Sequence, residues 1–194
     1  RYVVLDCIGS GGMGIIYAAR DERLGRTVAI KLLKPELSDT RASNLDAEAQ
    51  SLAKLAHPNV VAVFDVGEHE GQRFVAMEYV EGQNLRRWLE RRPSLPETLK
   101  VFRGAGEGLA AAHRAGLVHR DFKPDNVLVG IDGRPRILDF GLARAPGSTS
   151  TSHSPPAFAD NAEATATSLS RHGVLLVTPA YMAPEQHLGE RADA

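Results

Sequence analysis

His119-Arg120-Asp121-Phe122-Lys123-Pro124-Asp125-Asn126 is followed further along the chain by Asp139-Phe140-Gly141, and this pair of stretches has the composition to do chemistry. Each lies beside an apolar, strand-like run, Val127-Leu128-Val129 and Ile137-Leu138. Asn126 and Asp139 offer the hard oxygen ligands that Mg²⁺ prefers. Asp121 can orient and deprotonate a hydroxyl, and Lys123 can neutralise charge that develops on a transferred phosphate. Together the residues suit phosphoryl transfer to a hydroxyl.

Two upstream features could hold the phosphates. Gly9-Ser10-Gly11-Gly12-Met13-Gly14 fits G-x-G-x-x-G, in which positions without side chains let backbone N–H groups approach phosphate oxygens. In dinucleotide-binding folds that pattern opens a helix, whereas Ile15-Ile16-Tyr17 is β-branched and aromatic and reads as a returning strand. The bland alternative is a flexible turn. Val28-Ala29-Ile30-Lys31 places one lysine at the end of an apolar strand, where a half-buried ammonium needs a partner. Glu48 lies three residues after Leu45 and four before Leu52, on the apolar stripe of a helical pattern. Pairing of Lys31 with Glu48 explains both inward charges most simply; the alternative is two interface charges whose ends reach water.

The elements that must position these groups follow from periodicity. Residues 1–35 read as an antiparallel meander: a strand, the glycine turn, a strand over 15–20, a polar turn and a strand over 27–33. The spacing of Leu45, Ala49, Leu52 and Leu55 predicts an amphipathic helix over 41–56, stopped at His57-Pro58-Asn59. Two β-rich runs, 60–67 and 73–79, extend the sheet, and 80–83 reads as a connector. A short helix over 85–91 precedes Ser94-Leu95-Pro96-Glu97, a capping-box start for a long helix reaching His113 and stopped by Gly116. Between 144 and 171 the composition turns to Ser, Thr, Ala and Pro without periodicity, which predicts a mobile segment.

The chain has 194 residues, 43% of them hydrophobic, enough to bury a core in one domain or two small lobes. Its formal net charge of −1, from 23 basic and 24 acidic residues, gives no field of one sign to favour nucleic acid or a membrane surface. A single cysteine, Cys7, excludes an intramolecular disulfide and fits a reducing compartment. No apolar run approaches the roughly 18 residues a membrane helix needs. The expectation is a cytoplasmic segment, with a tether outside it left open, as is the oligomeric state.

These motifs, in order from Ile8 to Glu185, resemble the protein kinase family, and among them the bacterial eukaryotic-like Ser/Thr kinases. The resemblance implies an α+β, bilobal fold: an N-lobe over 1–80 with a small antiparallel sheet and one helix, then a mainly helical, partial C-lobe over 81–194. It implies ATP and Mg²⁺, protein substrates carrying Ser or Thr, and autophosphorylation. Residues 9–14 would cover the phosphates, Lys31 with Glu48 would position them, and Asn126 and Asp139 would bind metal. Met77-Glu78-Tyr79-Val80 would be the hinge, with backbone groups of Glu78 and Val80 bonding the adenine edge and Met77 setting the depth behind it. Ile8, Ile16 and Ala29 would wall the adenine slot. His119 would be a packed core residue, in a spine with Phe140, Leu52 and Val63. Arg120 and Arg144 would receive a phosphate on the activation segment, which runs over 139–185; Ser170 is the favoured phosphosite and Ser168 the second. Thr178, before the Ala183-Pro184-Glu185 end of the docking segment, would bond Asp121 and Lys123 as in Ser/Thr kinases.

Three features depart from the family pattern. Phe122 replaces a leucine, Val177 replaces a glycine, and the activation segment is long. Kinases continue past this point with further helices, so the piece alone is expected to expose apolar surface on its helical lobe, to be poorly stable and to turn over little ATP. The rival readings are a pseudokinase or scaffold, which the presence of Lys31, Asp121 and Asp139 disfavours, an inactive kinase fragment, and a small-molecule phosphotransferase, which the glycine loop, Thr178 and Ala183-Pro184-Glu185 disfavour.

Overall fold

The structure, a computed structural model, describes residues 1–11, 14–34, 52–140 and 179–187. The expectations for Gly12, Met13, the helix before residue 52 with Glu48, the segment 144–171 with Arg144, Ser168 and Ser170, and Thr178 lie outside the described residues.

A five-stranded antiparallel sheet in the order β1-β2-β3-β5-β4 forms the first half: β1 (Tyr2–Gly11), β2 (Gly14–Asp21), β3 (Arg26–Leu33), β4 (Val63–His69) and β5 (Gln72–Glu78). Alternation along the strands gives the sheet two faces. Ala19, Val28, Ile30 and Ala76 pack on one with Tyr2, Phe64 and Phe74, and the Arg26 guanidinium lies 3.6 Å over the Phe64 ring. Ala29, Leu33, Val75 and Met77 face the other way and join the main core with Val101, Val127, Ile137 and Phe140. Lys31, whose strand partners are Ile16 and Val75, shares that second face.

The glycine segment is more strand-like than the expected turn, since Gly9 and Gly11 stay in the β1–β2 ladder, with Gly11 opposite Gly14. At Gly14 a Cβ would collide with the Leu32 carbonyl, so the return strand needs glycine there to lie close on β3.

The second half contains β6 (Gly82–Asn84), α1 (Leu85–Glu90), α2 (Leu95–Arg114), a 3₁₀ turn (Pro124–Asn126), β7 (Val127–Gly130), β8 (Pro135–Ile137), a second 3₁₀ turn (Pro179–Tyr181) and α3 (Pro184–His187). The connector expected over 80–83 enters a three-stranded sheet, β6-β7-β8. At the start of α2 the Glu97 carboxylate accepts from the Ser94 backbone N–H at 2.9 Å and from its hydroxyl at 2.6 Å, the anticipated capping box. The buried stripe of α2 is Val101, Gly104, Ala105, Gly108, Ala111 and Ala112. Leu95, Leu99 and Phe102, on another side, are exposed.

The strand expected from residue 60 begins only at Val63. Before it, residues 59–61 leave the first sheet and zip in parallel onto β8: the Ile137 N–H donates to the Asn59 carbonyl, and the Val61 N–H donates to the Ile137 carbonyl, both at 2.9 Å. The buried Asn59 amide donates to the Pro135 carbonyl at 2.8 Å. This seam fits against α2 because two glycines leave a notch. A Cβ on Gly108 would stand 2.7 Å from the Asn59 carbonyl oxygen, and one on Gly104 would stand 2.8 Å from Pro135 Cγ. Among the described residues no helix is long and apolar enough to cross a membrane.

Gly108→Ala should therefore lower stability by about 1–3 kcal/mol through overpacking. Gly106→Ala, whose added methyl meets nothing within 4 Å, should raise it by about 0.5–1 kcal/mol. Denaturant midpoints of the complete protein check both, and equal midpoints for wild type and Gly108→Ala would contradict the packing described.

Candidate active site

The site lies where β3 meets the turn after β8. Lys31 Nζ lies 2.6 Å from Asp139 Oδ1, with the lysine side chain 4% exposed and the aspartate 14%. An ammonium so placed needs a close anion, and Asp139 is a partner that sequence spacing did not reveal. The residue just before it, Leu138, is held at both polar groups by the 119–126 loop. Its N–H donates to the Asn126 carbonyl at 3.0 Å, and its carbonyl accepts from His119 Nε2 at 2.9 Å.

His119 is 2% exposed and its Nδ1 accepts from the Asp121 backbone N–H at 3.3 Å. A backbone N–H can only donate, so the imidazole is neutral with its proton on Nε2. Burial pushes its pKa below the ordinary 6.5, against the pull of the Leu138 carbonyl and the Asp139 and Asp121 charges. Its ring lies 4.8 Å from that of Phe140 and 5.8 Å from that of Phe122. Phe140 shares a small cavity with Leu52 and Val63. His119 thus has the packed role expected of it.

Within the loop, Asp121 Oδ2 receives Lys123 Nζ at 2.9 Å and the Asn126 amide at 3.1 Å; that amide also donates to the Asp121 backbone carbonyl at 2.8 Å. With its nitrogen engaged on Asp121, Asn126 has its side-chain oxygen as the atom to offer elsewhere. Arg120 and Asp139 both have φ of 62°, left-handed backbone that is costly for residues with a Cβ and persists where surroundings impose it.

Of the residues expected to wall the adenine, Ile16, Ala29 and Met77 belong to one packed cluster, while Ile8 on β1 is 46% exposed. Glu78 closes β5, its N–H donating to the Ala62 carbonyl at 2.9 Å and its carboxylate lying 2.9 Å from Arg136 Nε. Arg136 also grips Asp132, at 2.9 and 3.2 Å, and holds that carboxyl down at about 2. The end of β5 is therefore tied to β8 and to the turn before it.

Sequence reasoning passed over two contacts made to the 119–126 loop. Arg86 on α1 donates to both oxygens of Asp125, at 2.9 and 2.8 Å. The Gln186 side chain on α3 donates to the Arg120 carbonyl at 2.8 Å. Neither belongs to a motif with a mechanism of its own, so only three-dimensional placement shows them.

This arrangement corresponds to one family. The protein kinase domain model matches residues 2–193. Over its full length the chain is 42% identical to the probable serine/threonine-protein kinase pknA2 of Bifidobacterium longum, covering 24% of that protein. It is 39% identical to the serine/threonine-protein kinase PknL of Mycobacterium tuberculosis, covering 45% of it. The chain thus spans less than half the length of these curated relatives. The crystal structure of the Mycobacterium tuberculosis PknI kinase domain superposes with a TM-score of 0.67 at 30% identity, over 75% of this chain and 60% of that one. A double-mutant form of the same domain gives 0.71 at 27% identity over 99% of this chain and 68% of that one. The chain belongs to the protein kinase family and has its bilobal fold, with the features of the bacterial Ser/Thr branch.

Family membership implies ATP as phosphoryl donor and a divalent metal, and the donor set fits. A carboxylate on Asp139 and a carbonyl oxygen on Asn126 provide two hard ligands, and phosphate oxygens and water usually complete the shell of such ions.

Because the folded-state pKa of His119 lies below 6.5, the unfolded chain binds the extra proton first as pH falls. The contribution of His119 is full above about pH 6.5 and is lost below it, until the folded form also protonates. Wild type should lose stability between pH 7.5 and 5.5 more steeply than His119→Gln, measured by denaturant midpoints; parallel profiles would contradict the buried neutral imidazole.

Proposed function

We propose that this chain is the catalytic domain of an ATP- and Mg²⁺-dependent serine/threonine protein kinase, which transfers the γ-phosphoryl group to a Ser or Thr hydroxyl of a protein and also phosphorylates itself. The observation that carries the proposal is the 2.6 Å approach of Lys31 to Asp139, next to a catalytic loop in which Asp121, Lys123 and Asn126 touch one another. We divide the lobes at residue 80, so that the nucleotide enters between the first sheet and the loop that follows α2.

Residues 9–14 cover the phosphates with backbone N–H groups. Lys31 turns from Asp139 towards the α- and β-phosphates, with Glu48 as its second carboxylate. Bound Mg²⁺ would neutralise phosphate charge and fix the geometry of the transferring group. Asp139 and the Asn126 side-chain oxygen would hold it. Among the described residues, the contacts from Lys123 and Asn126 to the Asp121 carboxylate fall on Oδ2, which assigns Oδ1 to the acceptor hydroxyl and its proton. Lys123, already at Asp121, is placed to neutralise the oxygens in transfer. Ile8, Ile16, Ala29 and Met77 enclose the adenine, whose polar edge is read by the Glu78 carbonyl and the Val80 backbone; the Glu78 N–H is already used by Ala62. Thr178 supports Asp121 and Lys123 from the docking segment. Arg120 and Arg144 receive a phosphate on Ser170 or Ser168, the two side chains acting as a charge-assisted clamp. The substrates are proteins, and the compartment is the cytoplasm, where ATP is available and Cys7 stays reduced.

Asp121→Asn in the complete protein should retain Mg²⁺–ATP affinity within about twofold, yet lose about 10²–10⁴ in phosphoryl transfer, measured with radiolabelled ATP and a generic Ser/Thr protein substrate. Unchanged transfer would remove Asp121 as the base.

A further inference from the structure

The peptide group that joins Arg120 to Asp121 is held by a side chain at each polar end. Its N–H, that of Asp121, donates to His119 Nδ1 at 3.3 Å. Its carbonyl, that of Arg120, accepts from Gln186 Nε2 at 2.8 Å. Gln186 is 9% exposed and comes from α3, 66 residues further along the chain.

The orientation of the Gln186 amide is fixed by chemistry. Its Oε1 accepts the Ala183 N–H at 3.2 Å, while its own backbone N–H donates to the Ala183 carbonyl at 3.0 Å. An N–H on one side and a carbonyl on the other permit only one assignment of oxygen and nitrogen. Arg120, whose carbonyl is gripped, has the left-handed φ of 62°. Such a conformation reverts unless neighbours over-determine it, and its reversal would rotate the peptide from which the Asp121 side chain is hung.

We infer that Gln186 is a positioning residue for phosphoryl transfer: it locks the Arg120–Asp121 peptide to the docking segment, so that Asp121 is aimed at the acceptor hydroxyl only while residues 183–187 are docked. His119 holds the same peptide from inside the core. Gln186 holds it from the segment on which the protein substrate rests, and this gives substrate docking a direct mechanical route to the base. The inference rests on the kinase reading above and deepens it.

The test uses the complete protein and steady-state phosphorylation of a Ser/Thr peptide. Gln186→Met keeps the volume of the side chain and loses both bonds; kcat should fall by at least about tenfold, the scale of a misplaced reacting group, with KM for ATP within about twofold. Gln186→Glu separates alignment from packing. When protonated, the introduced carboxylic acid can accept from Ala183 and donate to the Arg120 carbonyl; when ionised it opposes that carbonyl. The ratio of its kcat to that of wild type should therefore fall as pH rises from about 4.5, near the ordinary glutamate pKa, to about 8.5. A flat ratio, or wild-type kcat in Gln186→Met, overturns the inference and leaves the kinase reading standing. Absence of phosphoryl transfer by wild type overturns both. If Gln186→Glu fails to fold, Gln186→Met alone decides.

Discussion

A lysine with 4% of its side chain exposed cannot remain charged without a close anion, and that requirement organises this molecule. Lys31 is carried by a strand whose partners bury the same face, and its ammonium meets a carboxylate 108 residues away in sequence. The two halves of the chain are thereby joined at the candidate site. Truncating either partner would leave an uncompensated buried charge, an arrangement far worse than the intact pair. In the proposed function a nucleotide carrying its own metal would offer both groups new partners, so that binding would be an exchange of ionic contacts and not a first neutralisation.

The position of Asp139 is set by its neighbour. Leu138 gives its N–H to the Asn126 carbonyl and its own carbonyl accepts from His119 Nε2, which makes the turn at Asp139 and the 119–126 loop one hydrogen-bonded unit. His119 extends that unit to the Asp121 backbone, and the seam of residues 59–61 on β8 fixes it to the α2 notch at Gly104 and Gly108. Two residues in left-handed backbone, Arg120 and Asp139, sit inside this frame. Strain of order 1–3 kcal/mol at each is tolerable because the surrounding bonds leave the chain little choice.

Much of this was legible in the sequence. The meander, the capping box at Ser94 and the strand-like runs beside the two acidic stretches appear close to where residue pattern placed them, because each rests on local chemistry. The residue types of Lys31, Asp121, Lys123, Asn126 and Asp139 pointed to phosphoryl transfer, and the described structure pairs Lys31 with Asp139 and gathers Lys123 and Asn126 on Asp121. Less was readable where tertiary contact overrides pattern. Val60 and Val61 have strand composition, yet their hydrogen bonds go to β8 instead of the first sheet. Gly82 and Gln83 read as a connector but pair with β7, a role set by the partner strand and not by propensity. The Lys31–Asp139 contact, the Arg86 clamp on Asp125 and the Gln186 bond to Arg120 each join residues far apart in sequence, and single-sequence periodicity carries no signal for such pairs.

The claim at the centre is that Lys31 and Asp139 serve one nucleotide and one metal. A double-mutant cycle on Mg²⁺–ATP affinity, with Lys31→Met and Asp139→Asn in the complete protein, tests it most directly. Each single change should weaken binding, and the double variant should be little worse than the poorer single, giving a coupling energy of at least about 1 kcal/mol. Losses that simply add would show the two residues acting on separate ligands and would contradict the account.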